Sequence, residues 1–334
     1  MLTTLIPAYN QAYLGEALIS LARQSVKPTK VILSDDSPGH AISKMIKEGR
    51  FEVATRHLNL TVVPGPKESR QNHEQLFDLW GGSTDFVHLL NDDDVILPEF
   101  YRTHLMAHRE CRLSASVTPR WLSMGDSVPS WTLPLPTFIE DSPLRTVIVD
   151  SDTLVKSTLP SCTNWLGELT NIVLSADTAK RFPRPPVDEL SYYGLMDIST
   201  LLSADPSLPI AFVRDHQSVF RQHPQQSTNS LGTHGHRVTM LVWAPMAMHA
   251  WQQGRITHKD AIAALTTTLQ RYQQLYGDND PVMTAFVDVL DAHSGGMQEL
   301  HDDIRRYWLS LLGSDHSTQP RRRESTFPQL ATAT

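Results

Sequence analysis

The sequence predicts an α/β fold, with a mostly parallel central sheet covered by helices on both faces and a helical region behind it. Three observations predict it. Through the first hundred residues, short apolar runs of β type alternate with segments of helical periodicity, the pattern of βαβ units. Two of these runs end abruptly in acidic clusters, "SDDSP" (34–38) and "NDDD" (91–94). From about residue 236 the chain turns to long amphipathic stripes with capping signals.

"LTTLIPA" (2–8) is the first β run, and an amphipathic stretch from Tyr13 to Gln24 follows it. "KVILSDD" (30–36) precedes a helical piece at Ala41 to Lys47, and "LTVVPG" (60–65) precedes a helix-like run from Ser69 to Trp80. Gly81 and Gly82 can close that run in the left-handed conformation. "FVHLL" (86–90) leads through the aspartates to Pro98, which stands where a first helical residue would sit. Residues 114–228 are irregular and rich in turn residues, with strand candidates at Thr146–Val149, Asn171–Leu174 and Ile210–Val213.

"THKD" (257–260) has capping-box spacing. Ile262, Leu265, Leu269, Tyr272 and Leu275 then recur at helical intervals up to Gly277. Asp280 and Pro281 start another helix, and Leu300, Ile304, Trp308 and Leu311 mark a last one. Such stripes are packing faces, to be buried against the rest of the chain or in a homo-oligomer. The chain thus divides into 1–230, 236–313 and a tail, 314–334, whose lack of periodicity reads as disorder.

With 334 residues, 40% hydrophobic and 19% charged, the composition is that of a globular protein. A net charge of −7 disfavours sequence-independent binding to a phosphate backbone, so nucleic acid is not expected as a partner. Cys111 and Cys162 are isolated and fit buried thiols in a reducing compartment. "MLTTLIPAYN" reads directly as a strand, and no apolar stretch reaches the ~18 residues of a membrane span. The expectation is a cytoplasmic protein without a transmembrane segment. Arg321, Arg322 and Arg323 of the tail offer a weak electrostatic contact to an inner membrane surface.

Ligands of open parallel sheets bind beyond the carboxyl ends of the strands, so the two acidic clusters should converge there. Asp92, Asp93 and Asp94 pose a physical problem. Two unit charges ~5 Å apart at an effective dielectric of ~20 repel by about 3 kcal/mol. A divalent cation would relieve that repulsion; a helix N-terminus that favours acidic residues is the competing account. His104 and His108 are one helical turn apart, but 15 histidines in the chain make such a pair expected by chance.

The segment "LIPAYNQAYLGEALISLARQSVKPTKVILSDDSP" resembles the opening of a family 2 glycosyltransferase with the Rossmann-like, nucleotide-sugar-binding GT-A fold. "FVHLLNDDDVILPEF" is similar to that family's strand with the Asp-x-Asp metal motif. "NWLGELTNIVLS" (164–175) resembles the acceptor-side segment, and "YYGLMDISTLL" followed by "VFRQHPQQST" resembles the region of the catalytic base and the closing Arg-x-His-Pro strand. The resemblance covers roughly residues 1–228 and leaves the C-terminal helices uncovered.

The resemblance implies a metal-dependent inverting glycosyltransferase. It would use a nucleotide-diphosphate sugar as donor, a glycan, lipid-linked or protein acceptor, and Mg or Mn as cofactor. Asp94 would be the main metal ligand, Asp92 would face ribose or metal, and Asp93 could share either role, with His223 approaching the metal or the diphosphate. Pro7, Tyr9, Asp36 and Arg70 would line the nucleotide, with Asn72 beside Arg70. For Asp36 the alternative is a cap on the following helix, and for Arg70 a solvated helix-face pair. Asp197 would be the general base, although Met196 stands where the family commonly has Glu. Glu168, Asp188 and Glu189 are the alternatives, and an N-cap is the structural reading of Asp197. Two other functions compete: a non-catalytic sugar- or protein-binding module, and a sugar-1-phosphate nucleotidylyltransferase, which would carry a Gly-rich N-terminal loop that is absent here.

Overall fold

A computed structural model describes residues 1–182, 195–224, 226 and 233–314. Its strands are β1 (Leu2–Ala8), β2 (Lys30–Asp35), β3 (Leu60–Pro64), β4 (Phe86–Leu89), β5 (Val95–Ile96), β6 (Ala115–Val117), β7 (Arg120–Met124), β8 (Thr146–Val149), β9 (Ile172–Ser175), β10 (Ile210–Val213) and β11 (Ser218–Gln222). The central sheet has the order β3-β2-β1-β4-β9-β6-β10-β8. Only β9 and β8 run against the other six strands. A small second sheet, β5-β11-β7, lies at its carboxyl-end side, after β4.

Successive side chains of β1 and β2 enter opposite faces of the sheet, as the pleat requires. Leu5 and Ile32 join the core under the helix Ser69–Trp80, with Leu76, Phe77 and Trp80. Ile6, Val31 and Leu33 point to the opposite face, under the helices Leu14–Ala22 and Phe100–Glu110, with Leu14, Leu18, Phe100 and Tyr101. A sheet covered on both faces is therefore observed. Gly81 ends the helix Ser69–Trp80 at φ 55°, as its sequence position suggested.

Differences from expectation lie where pairing is distant. The helix after the aspartates begins at Phe100, not at Pro98, with Glu99 at the cap. The intervening Val95–Ile96 pairs with β11, and the Pro98 carbonyl accepts a hydrogen bond from Ser25 N at 2.8 Å. Such a two-residue strand has no periodicity of its own. It is held by β11, more than a hundred residues away.

The C-terminal helices are His234–Leu241, Trp243–Gln252, His258–Tyr276, Pro281–Asp291 and Met297–Ser314. The Thr257–Asp260 capping box is formed, and Asp280 caps the helix that Pro281 opens. Their apolar faces join Leu154, Leu159, Trp165 and Ile198 of the first region in one continuous core. Arg255 clamps this docking by donating to the carbonyls of Leu202 and Ser151, both at 3.0 Å. The expected stripe is shifted. Ile262 and Leu275 lie at the surface, and Ala261, Ala264, Leu265, Thr268 and Tyr272 form the buried face, where small residues admit close approach of Cys162. Among the described residues no helix is long and apolar enough to cross a membrane. The expectations for the tail and for Asp188 and Glu189 fall outside the described residues.

Candidate active site at the carboxyl ends of the strands

β1, β2 and β4 are parallel neighbours, so their ends bring Tyr9, Asp35–Asp36 and Asn91–Asp94 together. The chain leaves β1 beside the aspartates: Asp92 Oδ2 accepts from the amides of Tyr9 and Asn10, both at 2.5 Å. Pro7 pairs with Ser34 just before that turn, and the Tyr9 ring is about half exposed at 48%. Burial first, and the Asp93 charge second, push the Asp92 carboxyl up to about 7.

Asp94 points inward and is inaccessible. Its Oδ2 accepts from Thr170 Oγ1 at 2.7 Å and Asn91 Nδ2 at 3.2 Å, and its Oδ1 accepts from Arg221 N at 3.1 Å. Burial, then Asp93, push this carboxyl up to about 8. Asp93 is the one turned toward His223, whose Nε2 lies 3.0 Å from Asp93 Oδ2. His223 follows β11 and packs its ring 4.9 Å from that of Tyr13. Of the three aspartates, Asp94, the principal ligand by resemblance, accepts three hydrogen bonds from the protein, and the middle one faces the histidine.

Arg221 holds the cluster to the rest of the fold. Its guanidinium is buried, donates to the Asp93 carbonyl at 2.8 Å and to Glu16 Oε2 at 2.9 Å, and sits 4.3 Å over the Tyr13 ring. Burial raises the Glu16 carboxyl, and hydrogen bonds from Ser127 and Arg221 outweigh it, leaving it below its ordinary value. Below the aspartates, buried His88 bridges Tyr101 Oη on Nδ1 and the Thr170 carbonyl on Nε2, both at 2.9 Å. Since Nε2 must donate to that carbonyl, Nδ1 accepts from the tyrosine. Sequence reasoning read "FVHLL" only as an apolar run. Its histidine was the available sign of a buried polar network.

The β2 end is built differently. Asp35 Oδ1 accepts from Ser37 N and Oγ at 3.0 and 2.5 Å, and Oδ2 accepts from Ser43 N at 2.7 Å. Asp35, not Asp36, therefore accepts from the first turn of the helix Ala41–Lys47, whose N-cap is His40. Asp36 accepts from Lys67 N, and its carboxyl is raised, by burial first and then by Glu68 and Asp35. A Cβ on Gly65 would stand 2.8 Å from Asp36 Oδ1, so only glycine lets the chain after β3 pass. Arg70 is exposed and paired with Glu74 at 3.1 Å, one helical turn on. Buried Asn72 beside it leaves Oδ1 without a hydrogen bond among the described residues.

The acceptor-side segment links the aspartates to the candidate base. Thr170 bonds Asp94, and six residues earlier Asn164 Nδ2 donates to Asp197 Oδ2 at 3.0 Å. Asp197 lies in the first turn of the helix Met196–Leu202, where the N-cap is Leu195, so it is not the cap. It is 8% exposed. Burial first and Glu168 second push its carboxyl up to about 7, against the hydrogen bond from Asn164 and the charge of Arg120. Glu168 is itself paired with Arg120 at 3.0 Å. His104 and His108 are engaged elsewhere, with Ser116 Oγ and the Val173 carbonyl.

Among the described residues no three His, Cys, Asp or Glu side chains form a ready metal cage. The donor set nevertheless fits a hard cation of the kind that takes one or two carboxylates and fills its remaining positions with phosphate oxygens and water. Asp92 and Asp93, with Asp94 behind them, meet that description; burial first and the Asp93 charge second raise the Asp92 and Asp94 carboxyls.

No protein-family model matches the chain, and no curated protein does. Among solved structures, S. aureus TarS 1-349 in complex with UDP-GlcNAc superposes with a TM-score of 0.52 at 16% identity, over 96% of this chain and 93% of that one. A mannosyltransferase, PcManGT from Pyrobaculum calidifontis in complex with GDP-Man and Mn2+, gives 0.48 at 14% identity, over 95% and 87%. At such identities the likeness is one of fold alone, and the TarS superposition gives the GT-A fold class.

Proposed function

We propose that this chain is an inverting glycosyltransferase of family 2 type that moves a sugar from a nucleoside-diphosphate sugar to an acceptor hydroxyl of a glycan, lipid-linked glycan or protein. One observation carries the reading: a single segment, 164–171, hydrogen-bonds both the aspartate cluster and a separate, raised carboxyl at Asp197. Such a pairing of a charge-binding site with a separate proton acceptor is what transfer with inversion requires.

The nucleotide would lie across the ends of β1 and β2, with its base near Tyr9 and Asp36 and its ribose near Asp92. Asp93, with His223 and Asp92, would hold Mg or Mn, which when bound neutralises the diphosphate. Asp94 sits behind them as a support. The acceptor oxygen attacks the anomeric carbon from the side opposite the leaving group. As that bond forms, the sugar–phosphate C–O bond breaks, its electron pair leaves with the diphosphate, and the hydroxyl proton passes to Asp197. A carboxyl whose pKa stands near 7 is matched to that transfer at neutral pH. Met196 beside it leaves the carboxyl pair to be completed by Glu168, from a distant segment.

A melting screen of UDP, GDP and their sugars, with Mn or with EDTA, tests the binding half. A ligand at 100 times its Kd stabilises by about 2.7 kcal/mol, a readable shift. Asp197→Asn tests the chemistry: transfer falls by roughly a hundredfold or more while diphosphate binding persists. A diphosphate shift indifferent to EDTA would sink the metal-assisted reading. Transfer at the wild-type rate by Asp197→Asn would move the base to another carboxylate. Binding without turnover of any donor would favour the non-catalytic module, whose sequence support is Met196.

A further inference from the structure

Beside Asp197 the structure builds a charged pair, Arg120 with Glu168, of which the chemistry above uses only the carboxylate. Arg120, at the start of β7, places Nη2 3.0 Å from Glu168 Oε1, and its side chain is only 10% exposed. The guanidinium lies 5.5 Å from the centroid of the Phe220 ring, and its buried Nε makes no hydrogen bond among the described residues. Glu168 is fixed from its other side: its amide donates to Asn171 Oδ1 at 2.8 Å, and Asn171 Nδ2 donates to the carbonyls of Thr118 and Leu166, both at 2.7 Å. Gly167 is required for this arrangement. Its φ is +101°, and a Cβ there would stand 2.2 Å from Arg120 Nη1 and 2.4 Å from Asn171 Oδ1.

We propose that Arg120 and Glu168 are positioning residues for Asp197, with Asn164 as its clamp: Arg120 engages Glu168 as an ion-pair partner, so that Asp197 is the one carboxylate of the two left to take the acceptor proton. The inference rests on the reading of Asp197 as base. Of the two carboxylates, Glu168 is held by a buried guanidinium and Asp197 by a neutral amide, so the two differ in the charge beside them. Among the described residues, Glu168 and Arg120 are the charged groups acting on Asp197, and they act in opposite senses. Glu168 makes Asp197 a stronger base, and Arg120 limits the effect. Asn164 Nδ2, shared between Asp197 Oδ2 and the Gly167 carbonyl at 3.0 Å each, ties the base to the same loop. Gly167 N closes the clamp on Asn164 Oδ1 at 3.0 Å.

The test is direct titration of Asp197 in the full chain carrying 13C-carboxyl aspartate, its signal assigned by its loss in Asp197→Asn. In parallel, the acid limb of the pH–rate profile is recorded with UDP- and GDP-sugars as donors. Glu168→Gln lowers the Asp197 midpoint and the acid limb together, by about one pH unit, and Arg120→Gln raises both by a similar amount. Arg120→Lys, which keeps the charge, stays near wild type and separates electrostatics from loss of packing if Arg120→Gln melts early. A purely structural role for the pair would move melting and turnover but leave both midpoints in place. Unmoved midpoints with turnover intact overturn the positioning role alone. Moved midpoints with no donor turned over overturn the transferase reading, and the positioning role with it.

Discussion

The two acidic strand ends of this protein invite comparison because they look alike in sequence and behave oppositely. Asp35, at the end of β2, and Asp94, after β4, are both inaccessible and both accept several hydrogen bonds from the protein. Burial acts upward on both carboxyls. At Asp35 the Ser37 and Ser43 donors outweigh it, and the carboxyl falls below its ordinary value. At Asp94 the donors are outweighed, because Asp93 adds a like charge to deeper desolvation, and the carboxyl rises to about 8. The Asp35 carboxylate is stabilised as an ion by the chain itself, although its neighbour Asp36 is raised; the Asp94 carboxylate is not. A buried acidic cluster is therefore a functional signal where its hydrogen bonds fail to lower it.

The largest expected effect separates the two ends by function. Asp93→Asn should weaken Mn-dependent diphosphate binding by about a hundredfold or more, with little change in melting. Asp35→Asn should leave that binding intact and cost about 1–3 kcal/mol of stability, because an amide cannot accept from Ser37 and Ser43 together. Calorimetric titration of UDP and GDP with Mn, beside urea melts, checks both. Equal losses of binding in the two variants would erase the distinction.

The next effect is one of sign with pH. Asp35 has a lowered folded pKa, so its stabilisation is present above its unfolded pKa and is lost as pH falls through the folded one. Asp92, Asp94 and Asp197 have raised folded pKa values, so they favour the fold below their unfolded pKa, and that advantage is lost as pH rises through about 7 to 8. Melting temperature should therefore decline on both flanks. Asp94→Asn flattens the alkaline flank, Asp35→Asn the acid one, and Mn with UDP or GDP rescues the alkaline flank only. A stability profile flat from pH 6 to 8.5 without metal would contradict the charge deficit at β4.

A smaller, local effect concerns the passage over β2. Gly65→Ala puts a methyl group 2.8 Å from Asp36 Oδ1 and 3.0 Å from the Asp35 carbonyl, against backbone that cannot yield. About 1–3 kcal/mol of stability should be lost, the usual cost of overpacking. Diphosphate affinity should fall with it if Asp36 lines the nucleotide. Unchanged affinity in a destabilised variant would confine Asp36 to the scaffold.

What the sequence made legible follows the range of the physics. Local signals were reliable: the Thr257–Asp260 box, the Gly81 stop and the first four strands are set by neighbours within a turn or a run. The topology then placed both acidic clusters at one edge without further help. Three features lay beyond reach because their causes are distant. β5 exists through β11, the Arg221–Glu16 pair spans 205 positions, and Asp94 is turned inward by Thr170 from another strand end. A run of three aspartates carries no mark of which one faces out. The Arg120–Glu168 pair was hidden for the same reason, since neither residue has a sequence neighbour that announces the other.

The smallest expected effect sharpens the comparison most cheaply, because it concerns a cation that sequence similarity put near the nucleotide. Arg70 is exposed, pairs with Glu74 at 3.1 Å, and donates its amide to the Glu68 cap at 3.0 Å. An i,i+4 pair of this kind on a solvated helix face is worth about 0.3–0.5 kcal/mol. The backbone amide bond to Glu68 does not depend on the side chain. Arg70→Ala should therefore shift the urea midpoint barely beyond error and leave the Kd for UDP or GDP with Mn within about twofold, well under 1 kcal/mol. The contrast with Arg221, buried and bonded to Asp93, then becomes a statement about where positive charge matters: under the aspartates, not on the helix rim. A tenfold loss of affinity in Arg70→Ala, about 1.4 kcal/mol, would mean that the side chain leaves Glu74 for the phosphates when the nucleotide arrives, and the β2 end would have to be counted as short of positive charge as well.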